Sequence, residues 1–209
     1  MPHLVLLGDS IFDNAAYVRG GPDVVRQVRS ALPRGWQASL LAVDGATTDR
    51  VLPQLARLPS DATHLIVSAG GNDALGESGL LGAPTRTVAA AVGLLAEAQD
   101  AFEASYRSML ERVIALGLPT ALCTIYDTPA SAPEHRVIKA ALSLFNDRIT
   151  RAAFAHRLPL IDLRLICNEE SDYANPIEPS VQGGAKIAAA IARLAESPSE
   201  IWKRSIVFS

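Results

Sequence analysis

The chain has 209 residues and a formal net charge of −3, from 19 basic and 22 acidic residues. Hydrophobic residues make up 49% of it and charged residues 20%, which excludes a disordered or fibrous chain and suits one domain with its own core. Without an excess of basic residues, nucleic-acid binding is not expected as the main role.

Short apolar runs, partly β-branched and ending at turn-forming residues, alternate with longer stretches of helical periodicity. They predict five strands, at 3–7, 37–43, 64–68, 119–126 and 158–166. Between and after these strands they predict five helices, at 22–32, 48–58, 87–116, 134–156 and 181–195. Residues 74–84 are predicted to form a surface loop, and residues 201–209 an apolar tail that docks on the body or on a partner.

This alternation of strands and helices predicts a parallel sheet covered on both faces. No internal repeat, linker or change of composition divides the chain, so residues 1–209 are expected to form a single domain. The predicted fold is a doubly wound α/β domain, a three-layer α/β/α sandwich around a five-stranded parallel sheet. In such sheets ligands bind beyond the carboxyl ends of the strands, which gives the residues after each strand the greatest weight.

The cellular environment is predicted from the cysteines and the N-terminus. Cys123 and Cys167 both lie in apolar runs, which favours reduced, buried thiols rather than a disulfide or a metal site. The apolar run at 4–7 has no basic region before it and is too short for a signal peptide, and no stretch is long enough to span a bilayer. A cytoplasmic protein with no membrane segment is therefore expected.

Three polar or flexible residues follow the first three predicted strands. Ser10 closes the first strand, Gly45 forms a tight turn after the second, and Asn72 follows two glycines after the third. A hydroxyl, a backbone N–H and a side-chain amide that meet at one edge of the sheet are the groups that acyl transfer needs: a nucleophile and donors for the developing oxyanion. Each of these elements alone is typical of an ordinary turn.

The three segments around these residues resemble the SGNH/GDSL hydrolase family. Residues 6–14, with Gly8-Asp9-Ser10, are similar to the block that carries the nucleophilic serine; residues 44–48 and 70–73 are similar to the second and third blocks. The resemblance covers nearly the whole chain and implies a flavodoxin-like three-layer sandwich. It also implies ester hydrolysis without a cofactor, with Ser10 as nucleophile and an oxyanion hole from Ser10, Gly45 and Asn72.

The last block of the family is Asp-x-x-His before a proline and a helix, and here the chain departs from it. In residues 175–180 Asn175 stands in place of the aspartate and Glu178 in place of the histidine that acts as general base. No other histidine is an obvious substitute, because each lies at the start or end of a predicted element and is expected to be a surface or capping residue: His3, His64, His135 and His156.

The two replacements are compatible with each other. A histidine base becomes a cation and gains from an aspartate, whereas a glutamate base is repelled by a second carboxylate and gains from an amide. Asn175 is therefore expected to donate a hydrogen bond to Glu178. Since a free glutamate has a pKa of about 4.3, Glu178 must also be desolvated to act near neutral pH. Its rigid, apolar neighbours favour this: Pro176, Ile177 and Pro179. Asp172 and Tyr173 are further candidates to face the crevice.

Two main hypotheses follow, an ester hydrolase that acts on a small or polar acyl ester and a catalytically silent binding or regulatory protein on the same scaffold. The low aromatic content and the lack of an apolar lid favour the polar ester over a long-chain lipid. A nucleotide-binding module lacks the required glycine spacing and P-loop lysine. No cofactor or metal is expected, since the acidic residues at the strand ends are typical turn formers: Asp9, Asp13, Asp44 and Asp73. The tail permits a homodimer.

Overall fold

The computed structural model describes all residues, 1–209, and has a six-stranded parallel sheet at its centre. The strands of this sheet are β1 (His3–Gly8), β2 (Gln37–Leu40), β3 (His64–Ser68), β4 (Thr120–Cys123), β5 (Leu160–Ile161) and β8 (Val207–Phe208). Two more strands form a separate antiparallel hairpin, β6 (Tyr173–Asn175) and β7 (Glu178–Pro179). The order in the large sheet is β2-β1-β3-β4-β5-β8, so that β1, β3 and β4 are interior strands and β2 is an edge strand.

Helices cover both faces of the sheet. They are α1 (Val24–Ala31), α2 (Val51–Leu55), α3 (Gly71–Gly76), α4 (Val88–Ile114), α5 (His135–Ala155), α6 (Leu163–Ile166) and α7 (Val181–Glu196). Several begin where a side-chain oxygen accepts hydrogen bonds from the first turn, as Ser180 does from the N–H groups of Gln182 and Gly183 at the start of α7. No helix combines the length and hydropathy that crossing a membrane requires.

Successive residues of the central strands enter two different cores. Leu4 and Leu6 pack on one face in a cluster of 23 buried residues that includes α1 and α7. Val5 and Leu7 pack on the other face in a cluster of 18 buried residues that includes α4 and α5. Because both faces of the sheet are buried, the central strands are apolar along their length. Each fully buried leucine contributes about 2 kcal/mol to the free energy of unfolding. The predicted three-layer α/β/α sandwich is confirmed.

The sheet differs from the prediction at its C-terminal edge. The tail docks on the body and adds the sixth strand, in which Val207 pairs with Leu160 and Phe208 with Ile161. Strand β5 has only two residues, not nine, because Asp162 accepts a hydrogen bond from the Arg164 N–H and starts α6.

Two further local predictions need correction. The predicted loop 74–84 contains the end of α3 and a 3₁₀ helix at Ser78–Gly82, although it is exposed as expected. The predicted helix 48–58 is a 3₁₀ turn, Thr48–Arg50, followed by the short α2. Both cysteines are buried and free, as predicted.

Candidate active site

Ser10 lies on a turn that only a glycine can form. Gly8, the last residue of β1, has φ +124°, and a Cβ atom there would lie 1.6 Å from the carbonyl oxygen of Ser68. The N–H of Asp9 donates to the same oxygen at 3.1 Å, and the buried Gln54 side chain pairs with both the N–H and the carbonyl of Gly8 at 2.8 Å. The turn thus holds Ser10 at the carboxyl edge of the sheet, at the mouth of a cleft. Sequence patterns gave no signal for the role of Gln54.

Of the other two predicted oxyanion donors, the structure brings Asn72 into the cleft with Ser10 and places Gly45 outside it. Asn72 lines the same cleft as Ser10, and its Nδ2 atom donates one hydrogen bond, of 3.0 Å, to the carbonyl of Ala46. An amide has two N–H groups, so the second one is free to bind a ligand. Gly45 precedes Ala46 in an exposed turn with φ +75° that faces a neighbouring groove. The backbone N–H groups of Ser10 and Gly45 make no hydrogen bond to the backbone, so both are free to donate to a ligand.

Glu178 is buried beside Ser10. Its side chain extends from β7, the residue is 4% exposed, and its Oε2 atom is buried without a hydrogen-bond partner. Burial raises the pKa of Glu178 from 4.5 to about 7, an interaction with the Ser10 side chain lowers it in part, and the charge of Asp44 raises it further. The desolvation that the sequence required of this residue is therefore present, and its carboxyl group is close enough to Ser10 to interact with it.

The roles expected for the neighbours of Glu178 need correction. Asn175 lies opposite Glu178 in the β6–β7 hairpin, but its Oδ1 atom accepts a hydrogen bond from the Ile177 N–H at 2.9 Å, and no bond joins its amide to Glu178. It therefore shapes the hairpin turn. Neither of the two residues named as candidates to face the crevice lines the cleft. The Asp172 Oδ2 atom accepts from Lys186 Nζ at 2.8 Å, and the Tyr173 hydroxyl donates to the carbonyl of Cys167 at 2.7 Å.

None of the four histidines lines the cleft. His135 begins α5 and His156 follows it, as expected. His3 is not a surface residue, since it is only 5% exposed. His64 is partly buried between the rings of Trp36 and Trp202, with both centroid distances 4.7 Å. The structure therefore brings no histidine into the cleft beside Ser10.

The acidic residues at the strand ends support the turns, as predicted, and one of them also enters the cleft. Asp73 accepts hydrogen bonds from the N–H and the hydroxyl of Thr48, at 3.0 and 2.8 Å. Asp9 accepts from the Ile11 N–H at 3.2 Å and lines the cleft. Burial raises the pKa of Asp9 from 3.8 to about 7, and the charges of Glu178 and Asp73 raise it further. No group of three or more histidine, cysteine or acidic side chains is arranged to hold a metal ion.

One buried amide, that of Asn14, connects the segment that follows Ser10 with the strand that carries Glu178. Asn14 is 0% exposed, its Nδ2 atom donates to the carbonyl of Pro179 at 3.1 Å, and its Oδ1 atom accepts from the Val24 N–H at 2.9 Å. It thereby ties the segment after Ser10 to the strand that carries Glu178. Asn14 lies within the first family block, but the sequence did not indicate this link because its partners are far away along the chain.

The cleft is mainly apolar. It has a volume of about 230 Å³, and 16 of its 27 lining residues are hydrophobic. Its walls come from the exposed segment after α3, from α4, from α5 and from the β6–β7 hairpin, and include Leu80, Leu95, Phe145 and Ile177. The small or polar acyl group expected from composition took no account of this lining, because its walls come from segments that no local pattern brings together.

Comparisons with known proteins agree with the α/β fold described above. The GDSL-like Lipase/Acylhydrolase family matches residues 6–186. Among solved structures, a lipase from a goat rumen metagenome is 18% identical over 95% of this chain and 99% of that chain, with a TM-score of 0.73. Phospholipase A1 from Streptomyces albidoflavus is 18% identical over 93% of this chain and 99% of that chain, with a TM-score of 0.65.

The extracellular lipase from Streptomyces rimosus is likewise 18% identical, over 93% of this chain and 100% of that chain, with a TM-score of 0.64. At these identities the likeness shows a shared fold. No curated protein matches the chain.

Proposed function

Because the chain belongs to the GDSL-like lipase/acylhydrolase family, we propose that it is an ester hydrolase with Ser10 as nucleophile and Glu178 as general base. The observation that carries this proposal is the buried Glu178 carboxyl group beside Ser10, with one oxygen unpartnered and with its pKa raised by burial to about 7. A base with a pKa near the working pH combines the deprotonated state with enough basicity to accept a proton.

The reaction then proceeds in two steps, transfer of the acyl group to Ser10 and its hydrolysis by water. The Ser10 oxygen attacks the ester carbonyl carbon while its proton passes to Glu178, and the oxyanion accepts hydrogen bonds from Asn72 and from the N–H group of Ser10, the two predicted donors that line the cleft. The intermediate collapses, the C–O bond to the alcohol breaks, and Glu178 returns the proton to the leaving oxygen. Water attacks the acyl group in the same way, which releases the acid and restores Ser10.

The charge of the base changes in the direction that the site favours. A histidine becomes positive when it accepts the proton, whereas Glu178 becomes neutral. Since burial and the nearby carboxylates of Asp44 and Asp9 disfavour a negative charge, accepting a proton relieves an unfavourable state. No aspartate is then needed behind the base, and an asparagine at position 175 avoids a further negative charge.

The lining of the cleft favours an ester with an apolar acyl chain. A chain that enters between α4 and α5 contacts Leu95, Ala98 and Phe145, and each buried methylene contributes about 0.8 kcal/mol to binding. The names of the similar structures, two lipases and a phospholipase A1, agree with an apolar acyl group.

Labelling with a serine-directed fluorophosphonate between pH 5 and 9, followed by peptide mass spectrometry, tests the proposal. We expect the label on Ser10, at a rate that rises with a midpoint near pH 7 because Glu178 must be deprotonated. Ser10→Ala abolishes this label and Glu178→Gln suppresses it, whereas Glu97→Gln, at an exposed glutamate of α4, leaves it unchanged. Folded protein without label on Ser10 at any pH would refute the proposal and favour the silent binding protein.

A further inference from the structure

A second group of nucleophilic and titratable side chains lies at the opposite edge of the sheet. His3 begins β1, Ser39 lies in β2 and Asp61 precedes β3. The Nε2 atom of His3 is 2.8 Å from Ser39 Oγ, and its Nδ1 atom is 2.9 Å from Asp61 Oδ1. We propose that Ser39, His3 and Asp61 form a second nucleophilic centre, which accepts a small acyl or phosphonyl group from an activated ester.

The carboxylate fixes which nitrogen of His3 carries the proton. An ionised carboxylate only accepts hydrogen bonds, and the bond to His3 holds the pKa of Asp61 below its ordinary value. The Nδ1 atom of a neutral imidazole must therefore donate to Asp61, which leaves the lone pair of Nε2 to accept the hydroxyl proton of Ser39. This is the order of roles in a serine, histidine and aspartate triad, which is recognised by geometry rather than by position in the sequence.

The backbone and neighbouring side chains hold the three residues in place. The backbone N–H of His3 donates to Thr63 Oγ1 at 2.7 Å, and the N–H of Thr63 donates to the carbonyl of His3 at 2.8 Å. The Nε2 atom of Gln37 donates to the second carboxylate oxygen of Asp61 at 2.9 Å. The imidazole, at 7% side-chain exposure, is shielded from water, while the Asp61 side chain is 63% exposed, so its support is weaker than that of a buried aspartate.

The position of Ser39 determines the kind of group that it accepts. Ser39 is partly exposed on β2, the edge strand of the sheet, and does not line the Ser10 cleft. Ser39 pairs with Val5, roughly 10 Å along β1 from Gly8, and it lies outside the Ser10 cleft, so we treat the two serines as separate nucleophiles. Without an apolar cleft beside it, Ser39 suits a small ester with a good leaving group rather than a long acyl chain.

The proposed step balances without a co-reactant. The Ser39 oxygen attacks the carbonyl carbon of the ester while its proton passes to His3 Nε2, and the charge of Asp61 stabilises the imidazolium. The bond to the leaving alcohol then breaks, and His3 gives the proton to the alkoxide. The acyl group remains on Ser39. With a fluorophosphonate, the new bond is from Ser39 oxygen to phosphorus, and fluoride leaves.

The experiment uses the full chain with Ser10→Ala, so that the first nucleophile is absent and failure at Ser39 is separate from failure at Ser10. The protein is treated with a small fluorophosphonate and with p-nitrophenyl acetate at pH 8, and the modified peptides are identified by mass spectrometry. We expect modification at Ser39. The added substitution Ser39→Ala abolishes it, and Asp61→Asn slows it by roughly tenfold, because the preferred imidazole tautomer is lost.

Ser30 is the matched control, because it is exposed and its hydroxyl donates to the carbonyl of Arg26 at 3.0 Å, with no histidine as partner. It should stay unmodified. Far-UV circular dichroism verifies that each variant is folded, and Asp61→Asn and Ser39→Ala provide two tests that do not remove the shielded imidazole. Folded protein without modification at Ser39, or with equal modification of Ser30 and Ser39, would overturn the proposal.

Discussion

Burial of Glu178 makes the stability of the protein depend on pH in a way that one substitution removes. The pKa of this carboxyl group is about 7 in the folded protein against an ordinary value of 4.5. Because folding favours its protonated form, its contribution to the free energy of unfolding is fully present below pH 4.5 and is lost as the pH rises through about 7. Glu178→Gln keeps the shape of the side chain and abolishes this dependence.

The magnitude follows from the two pKa values. The difference between 4.5 and about 7 corresponds to about 3 kcal/mol, at about 1.4 kcal/mol per pKa unit. The carboxyl group lies beside a cleft that opens to solvent, so screening reduces the expected contribution to about 2 kcal/mol. Removing the charge of Glu178 also lowers the raised pKa of Asp9, which changes the pH dependence in the same direction.

Urea unfolding of the wild type and Glu178→Gln at pH 5, 6, 7 and 8, followed by tryptophan fluorescence, measures this term. The stability of the variant relative to the wild type should rise by about 2 kcal/mol between pH 5 and 8. The contributions of all other ionisable groups except Asp9 cancel in this difference. The control variant Glu97→Gln, at an exposed position, should show no pH-dependent difference in stability from the wild type. If the curves for Glu178→Gln and the wild type run parallel, Glu178 is not desolvated and the argument for it as a base near neutral pH fails.

Three other substitutions test the remaining parts of the site. Asn14→Leu leaves a buried N–H and a buried carbonyl without partners, so it should lower the free energy of unfolding by about 2–4 kcal/mol. It should also decrease kcat by a larger factor than it changes KM. Ala98→Leu fills the cleft and should shift the preference of the enzyme towards shorter p-nitrophenyl esters; because Ala98 also packs in the core on that face of the sheet, the larger side chain should cost about 1–3 kcal/mol of stability. Asn175→Asp adds a negative charge opposite Glu178 and should raise the midpoint of the Ser10 labelling profile, measured as a function of pH.

Each of these expectations has a clear contrary outcome. A loss of stability in Asn14→Leu with unchanged kcat would mean that the residue only supports the fold. An unchanged chain-length profile in Ala98→Leu would mean that the acyl chain does not enter between α4 and α5. A labelling midpoint in Asn175→Asp equal to that of the wild type would place this side chain outside the electrostatic environment of the base.

The parts of the site that could be predicted from the sequence are those that lie at strand ends. In a parallel sheet the carboxyl ends of neighbouring strands meet at one edge, so Ser10 after β1 and Asn72 after β3 are brought together by the alternation of strands and helices alone. The burial of Glu178 followed from its apolar neighbours in the hairpin. In these cases a local pattern and a general rule of the fold were sufficient.

The parts that could not be predicted depend on contacts between segments far apart in the sequence. The strand β8 has only two residues and exists because β5 offers an unpaired edge, a condition absent from its own pattern. Gln54 and Asn14 are ordinary polar residues until the fold sets them against Gly8 and Pro179. The apolar cleft likewise requires α4, α5 and the β6–β7 hairpin to converge, which composition does not encode.

The electrostatics of the cleft explain why a glutamate suits this position. Burial is the largest cause of the raised pKa at position 178, and burial disfavours the charged form of any side chain. It would therefore lower the pKa of a histidine there, ordinarily about 6.5, and make it a weaker base, whereas it brings the pKa of a glutamate, ordinarily about 4.3, towards neutral pH. The charge of Asp44 raises the pKa of Glu178 further, and the uncharged Asn175 adds no negative charge opposite it. In the function that we propose, burial thus supplies the basicity that a free glutamate lacks.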